Sequence, residues 1–332
     1  VPDSPYSHLD RPPLNVAALR RGLLVPDGFW TRLELRAETG STNGDVAEAA
    51  RAGEPEGLVV VAERQSAGRG RQGRSWESPP RAGIAASVLL RPGEAAPGHG
   101  WQPARATAYG WLPLLAGVAL VGAVRRVAEV DAVLKWPNDL LVAGRAGGAG
   151  VAGAAGLASS LLAPGGAGVA GAAGLASSLL APGGGGYAKC AGILAETVPD
   201  DTRPVAVVLG IGLNVTLRSD ELPPGVGGLP VTSLQLAGAP VTDRDPLLRA
   251  LLRAVATWYA RWREAGGDPE SSGLRTAYEA ACATVGSNVR VIPPAGPELV
   301  GEATGVDADG RLLVRAADGE HAVAAGDVMH VR

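Results

Sequence analysis

Lysine is almost missing from this chain. Of 30 basic residues in 332, only Lys135 and Lys189 are lysine; the others are arginine. Lysine is a point charge on a flexible stem, whereas arginine is a planar five-donor fork. The exchange is nearly free on a solvated surface, so a lysine that survives a drift toward arginine is either a chance survivor or marks a place where lysine matters. Cysteine is as rare. Cys190 and Cys282 give neither a disulfide framework nor a metal spacing. The four histidines, His8, His99, His321 and His330, are scattered and form no ligand pattern with cysteine or carboxylate. A strong excess of either charge is also absent. The formal charge of −3 argues against a general nucleic-acid or membrane-surface binder, so any anion site must be local. No apolar run reads as long or clean enough to span a bilayer, and the N-terminus lacks the basic-then-apolar order of a signal peptide. These absences imply a cytoplasmic protein without a structural metal, long enough for two unequal domains.

What is present reads as mixed α and β. Residues 1–30 are broken by Pro2, Pro5, Pro12 and Pro13 and are expected to be an extension too short for a domain. Strands are predicted over Thr31–Arg36, Gly57–Glu63, Gly83–Leu90, Val130–Leu134, Leu140–Val142, Ala188–Thr197 and Val205–Val215. Helices are predicted over Asp45–Ala52, behind Ser41, Thr42 and Asn43 as its capping segment, and over Ala104–Val127, Leu247–Glu264 and Leu274–Ala283. From Ser287 the pattern changes to short β runs at Val289–Ile292, Leu299–Val306, Leu312–Arg315 and His321–Val323, with Asp309-Gly310 and Asp318-Gly319 as hairpin signals. The expected division is therefore an extension (1–30), a catalytic domain (31–284) and a small β-barrel (285–332). One segment is foreign to this order: residues 149–166 and 167–184 are the same 18-residue string in tandem. Two Gly/Ala/Ser-rich copies cannot make a solenoid, so they read as a duplicated insert in a surface loop projecting into solvent.

Three blocks carry chemistry. Between Glu63 and Glu77 lie Arg64, Arg69, Arg71 and Arg74 with no acid among them, interleaved with Gly68, Gly70 and Gly73. That is a local anion trap whose glycines let backbone N–H groups approach a ligand. Four like charges and three glycines also give the loop little reason to pack, so it is expected to be mobile without ligand. The glycines satisfy a dinucleotide fingerprint, but Ser75-Trp76-Glu77-Ser78-Pro79-Pro80 cannot open the helix that fingerprint requires. The second block, Lys135-Trp136-Pro137-Asn138-Asp139, combines a cation, a flat aromatic, a rigid turn and two short oxygen-bearing side chains. It suits a triphosphate with its metal, although Pro-Asn-Asp is also ordinary turn chemistry. The third, Gly210-Ile211-Gly212-Leu213-Asn214-Val215, ends a buried strand with room for close approach of a ribose or base; a tight sheet crossing explains it as well.

Taken in order with Thr39-Gly40-Ser41-Thr42-Asn43 and with Lys189-Cys190-Ala191-Gly192-Ile193-Leu194 and Glu196, these blocks resemble the biotin–protein ligases. The resemblance runs from about Glu38 to the C-terminus, interrupted by the insert. It implies an α+β fold, a central mixed β-sheet flanked by helices and related to class II aminoacyl-tRNA synthetases, followed by an SH3-like β-barrel. It implies that Ser41, Thr42, Asn43 and Gln65 hydrogen-bond the biotin rings. Trp76 and Trp136 would line the pocket, Trp136 also serving the adenylate. Arg69, Gly70 and Arg71 would close over the ligand, and Lys189 would contact the biotin carboxylate and the α-phosphate. Lys135, Arg74, Asn138, Asp139 and Asn214 would serve ATP, with Mg²⁺ entering on the nucleotide near Asp139. Lys189, Arg71 and Lys135 are the expected catalytic cations. Thirty Pro-broken residues cannot hold the helix-turn-helix domain that many members carry, so the enzyme-only form is expected, binding neither DNA nor membrane.

The implied reaction has two steps: biotin plus ATP gives biotinyl-5′-AMP and pyrophosphate, and a lysine of a biotin carboxyl carrier protein then takes the biotin. No serine or cysteine nucleophile is needed, and Cys190 reads as a packed strand residue. The nearest rival is a lipoate–protein ligase, disfavoured by the Arg/Gly loop, the Lys-Trp-Pro-Asn-Asp block and the barrel tail. A nucleic-acid regulator is disfavoured by net charge and the lack of a reader helix.

Overall fold

The computed structural model describes residues 10–143, 186–225 and 229–331. The duplicated insert at 149–184 and the first nine residues lie outside these. Seven strands form the larger sheet: β1 (Arg32–Arg36), β2 (Leu58–Ala62), β3 (Gly83–Leu90), β4 (Ala132–Lys135), β5 (Asp139–Ala143), β6 (Tyr187–Val198) and β7 (Ala206–Asn214). Their order is β1-β2-β3-β7-β6-β5-β4. Only β1 and β2 run parallel; every other pairing is antiparallel, so the sheet is mixed as expected.

Two apolar faces follow from the strand period of two. One face of β3 and β7, including Ile84, Ala86, Val88, Leu209, Ile211 and Leu213, belongs to the main core. That core is filled by α3 (Trp111–Ala123) and by α4 (Arg244–Glu264) and α5 (Leu274–Ala281), which pack on it. Almost every residue of α3 is buried, and each fully buried Leu or Val contributes roughly 1.5–3 kcal/mol. Gly117 is needed at this contact, because a Cβ there would lie 3.1 Å from the Leu134 side chain. On the opposite face α2 (Thr42–Arg51) packs through Val46 and Ala50 on Leu58, Val60, Leu89 and Val208, and Val133 and Leu141 pack with Ala283 in a separate small cluster. One helix is too short to cover the whole face. The uncovered part is where the site lies.

Three expectations are corrected. Ala106–Ala128 is long and apolar enough to cross a membrane by length and composition, yet 72% of its window is buried inside the fold; it is the core helix with a 3-10 turn before it and a π-turn after it. The segment read as an N-terminal extension carries a helix, α1 (Val16–Leu23), capped by the Asn15 side chain accepting from Ala18 N. Leu14, Leu19, Leu23 and Trp30 join the main core. A buried pair fixes this segment: Arg244 Nη1 donates to Glu63 Oε2 at 2.6 Å and Nη2 to Pro12 O, while Glu63 Oε1 accepts from Leu14 N. Finally, α2 begins at Thr42 with Ser41 as its N-cap, so Thr42 and Asn43 form its first turn instead of preceding it.

The C-terminal sheet comprises β8 (Asn288–Ile292), β9 (Leu299–Val306), β10 (Leu312–Ala316), β11 (Gly319–Val323) and β12 (Asp327–His330), in the order β11-β10-β9-β8-β12. This is the expected SH3-like unit with one more strand, β12, than the four β runs read from the sequence. Its Asp309-Gly310 turn docks on the larger domain: Trp111 Nε1 donates to Asp307 O, Trp136 Nε1 to Gly310 O, and a Cβ on Gly110 would lie 2.2 Å from Asp309 O.

Candidate active site

The uncovered face has a glycine floor. Along β7, Val208 packs under α2, Gly210 lies under Asn43, and Gly212 lies under Trp76. A Cβ on Gly210 would sit 2.1 Å from Asn43 Oδ1, and one on Gly212 2.5 Å from the Trp76 indole. Gly192 of β6 pairs with Gly212, and its Cβ would lie 3.2 Å from the same indole. No other residue type leaves this surface flat.

A bulge brings Lys189 to this floor. Leu140 pairs with Ala191 but Leu141 pairs with Lys189, leaving Cys190 extra in β6. A bulge re-aims the side chains beyond it. Cys190 and Ala191 are both fully buried in succession, and the phase shift puts Lys189 and Gly192 on one face; a Gly192 Cβ would be 3.7 Å from Lys189 Cε. Lys189 Nζ pairs with Asp139 Oδ1 at 2.6 Å, and Asp139 is itself the hairpin partner of Lys135. Burial pushes the Lys135 ammonium below its ordinary range, against the opposing pull of Asp139. Both ammonium charges thus act on one carboxylate, Lys189 in contact with it and Lys135 from the cross-strand position. Cys190 is packed, its thiol pushed up by burial and bonded to Asn214 O at 3.3 Å.

The polar wall is built by α2, β2 and β3. Gln65 Oε1 accepts from Thr42 N at 2.8 Å and Thr42 Oγ1 at 3.0 Å. Ser87 Oγ lies 2.7 Å from Thr42 Oγ1 and 2.6 Å from Asn43 Oδ1. Asn43 Nδ2 donates to Glu196 Oε2 at 2.6 Å. Both ends of the Asn43 amide are therefore held by protein, and Gln65 spends its carbonyl on Thr42, with its NH₂ beside Gly68. An open cleft beside this wall is lined by Gln65, Trp76, Ser78, Gly83, Ala85 and Leu213.

The Arg/Gly loop does not lack packing partners, contrary to expectation. Its tip is a tight hairpin: Arg69 bridges Ser75, and Gly70 N donates to Arg74 O at 2.6 Å. Gln72 and Gly73 turn it with φ of 57° and 72°. Three arginines hold it to three different elements. Arg69 pairs with Glu196 at 3.6 Å, Arg71 Nη1 donates to Asn138 Oδ1 at 3.4 Å, and Arg74 Nη2 meets Asp327 Oδ2 at 2.5 Å. Burial lowers Arg71 from its ordinary range, with Asp139 and Asp327 opposing.

Two of the residues expected at the ligand are buried and bonded within the protein. Trp136 is 1% exposed, its amide on Thr284 Oγ1, so it serves the joint between the domains. Asn214 is buried with its Nδ2 on Thr232 O. Conversely, sequence reading missed Ser87, Asp327 and the buried His330. Ser87 had a signal, as the one polar side chain in an apolar strand; Asp327 had none, being 253 residues from its partner.

A mixed sheet with a glycine floor, converging lysines and an arginine loop, joined to an antiparallel C-terminal sheet, defines a ligase of the biotin and lipoate class. The Biotin/lipoate A/B protein ligase family matches residues 41–156, and the Biotin protein ligase C terminal domain matches residues 284–331. The biotin–[acetyl-CoA-carboxylase] ligase of Mycobacterium tuberculosis is 35% identical over 326 residues, 97% of each chain. The bifunctional ligase/repressor BirA of Bacillus subtilis is 27% identical over 87% of this chain and 70% of its own. Biotin protein ligase from Aquifex aeolicus, solved in complex with biotin and ATP, superposes with a TM-score of 0.60 at 21% identity, covering 91% of this chain and all of that one. The chain belongs to the biotin protein ligase family.

Proposed function

We propose that this chain activates biotin with ATP to biotinyl-5′-AMP and transfers the biotin to a specific lysine of a biotin carboxyl carrier protein. The observation that carries the reading is the convergence of Lys189, Lys135 and Arg71 beside the Gly192/Gly212 floor. Joining a carboxylate to a triphosphate brings two anions together, so the barrier is largely electrostatic. Cations fixed in advance at the reacting phosphate lower it without reorganisation. In the first step a biotin carboxylate oxygen attacks the α-phosphorus and pyrophosphate leaves. In the second, the carrier amine attacks the anhydride carbonyl and AMP leaves.

Ser41, Thr42 and Gln65 present polar atoms to the biotin rings, and Asn43 holds that wall from behind. The floor lets the Trp76 indole lie close against the sheet, and Trp76 and the Arg69–Arg71 turn face the rings. Lys189 faces the carboxylate and α-phosphate; Lys135, Arg74, Asn138 and Asp139 face the nucleotide. Closure of the loop excludes water from an anhydride that water would otherwise hydrolyse. Mg²⁺ fits this site only as an ion carried on the triphosphate. Among the described residues no group of three or more His, Cys, Asp or Glu side chains gathers to hold a metal, and Mg²⁺ is commonly bound by one or two carboxylates plus phosphates. Asp139 would be its protein ligand, and the ion would neutralise phosphate charge.

Biotin-dependent exchange of pyrophosphate into ATP tests the first step, and labelling of a carrier domain the second. Exchange driven by lipoate and not by biotin would overturn the assignment.

A further inference from the structure

The C-terminal sheet reaches the arginine loop through the Asp327 carboxylate. Asp327 opens β12 and pairs with Ile292 of β8, so its position is fixed by a sheet that is itself docked through Trp111 and Trp136. From there it meets Arg74 Nη2 at 2.5 Å, and its charge also acts on Arg71 and Lys135. Gln72 Oε1 accepts from the same Arg74 nitrogen at 3.0 Å, and Gln72 holds its left-handed backbone at the tip. The pair is about half exposed on both sides, 41% and 44%, so its contribution to global stability is small. Its place gives it a different consequence. It ties the tip of the arginine loop to the other domain, whereas Arg69 and Arg71 hold it to β6 and to the Asn138 turn.

We propose that Asp327 is a positioning residue which, through Arg74, latches the Arg/Gly loop over the site, so that the C-terminal sheet sets how long the loop stays closed. It touches no reacting atom. Losing the latch leaves the lysines and the glycine floor in place but lets the tip lift, exposing the bonds after Arg71 and Arg74 and opening the way out for bound adenylate. The adenylate part rests on the biotin-ligase reading; the loop part does not.

The test compares the full chain with its Asp327→Asn and Asp327→Glu variants. Trypsin cleavage within residues 69–75 is followed in the free protein, and release of biotinyl-5′-AMP by stopped flow. Asp327→Asn is expected to raise both rates about threefold to fivefold, the range set by loss of an exposed ion pair, with biotin exchange kcat within about twofold. Asp327→Glu, which keeps the charge, is expected to restore both rates. Cleavage unchanged within about 1.5-fold in Asp327→Asn, with circular dichroism as in the unaltered protein, overturns the latch. An unaltered chain that binds no biotinyl-5′-AMP overturns the ligase reading instead, and the cleavage rates still decide the latch.

Discussion

Lys189 Nζ lies 2.6 Å from Asp139 Oδ1, across two neighbouring strands. The pair exists because the bulge at Cys190 turns Lys189 toward the face that carries Gly192. It holds one ammonium at a fixed point above the floor, the point at which the proposed reaction would join a carboxylate to a phosphate. Asp139 holds the ammonium in place, at a position 26% exposed.

Replacing Lys189 by Arg keeps the charge and loses the point. The planar fork must spread its donors, and it cannot bridge a carboxylate and a phosphate from the space that one ammonium occupies. Adenylation should fall on the order of 10²–10³-fold, comparable to losing one transition-state donor. Biotin–ATP exchange measures it; retention of more than about a third of the rate would remove Lys189 from this role.

Gly210→Ala and Gly212→Ala should separate folding from binding. The Gly210 Cβ would strike Asn43 Oδ1 at 2.1 Å, and that amide is buried between Ser87 and Glu196. It cannot yield, so stability should drop by about 1–3 kcal/mol, typical of overpacking, along with biotin binding. The Gly212 Cβ would strike the half-buried Trp76, which sits on the loop and can move. Here biotin affinity should fall at least about tenfold with little change in urea midpoint. Equal stability losses in both variants would refute this division.

The strands were legible because each is a short apolar run with clear ends. β3 occupies Gly83–Leu90 as read, and β6 and β7 differ from their readings by one residue at each end. The bulge at Cys190 was not legible: two consecutive buried residues in an apolar strand look like any parallel-type run until the partner strand is known. The helix α1 was hidden by its prolines, yet Pro12 and Pro13 precede the Asn15 cap and interrupt nothing. The site residues within one block were visible as a block. What joins blocks was not, since Arg74 and Asp327 carry no mark of each other in sequence. Asn43 shows the remaining gap. Its motif pointed to a ligand contact, and only the geometry shows the amide spent on Ser87 and Glu196.

The tandem repeat offers a test of the hairpin it interrupts. β5 and β6 pair from Ala143↔Tyr187 to Asp139↔Gly192, and this register is set by ladder bonds and buried alternation, whatever joins the strands. Loop-closure entropy varies as the logarithm of length, so excising residues 167–184 should change stability by less than about 1 kcal/mol. Both half-reactions should persist. Loss of carrier labelling with adenylation intact would instead assign the second copy to carrier docking.

Acid should weaken the fold through one histidine. His330 ends β12, is buried, and accepts from or donates to Thr284 Oγ1 at 3.2 Å. Burial, and after it the nearby Lys135 ammonium, pushes its imidazole down to about 4 from an ordinary 6.5. Between those values the unfolded chain binds a proton that the folded chain refuses, so stability rises with pH through that window. The contribution is therefore fully present above pH 6.5 and is lost as pH falls toward 4, on the order of 3 kcal/mol in total. His330→Gln keeps a donor for Thr284 and removes the titration. Urea midpoints should fall less steeply for this variant than for the unaltered chain between pH 6.5 and 4. Parallel curves would mean that other groups govern the acid limb.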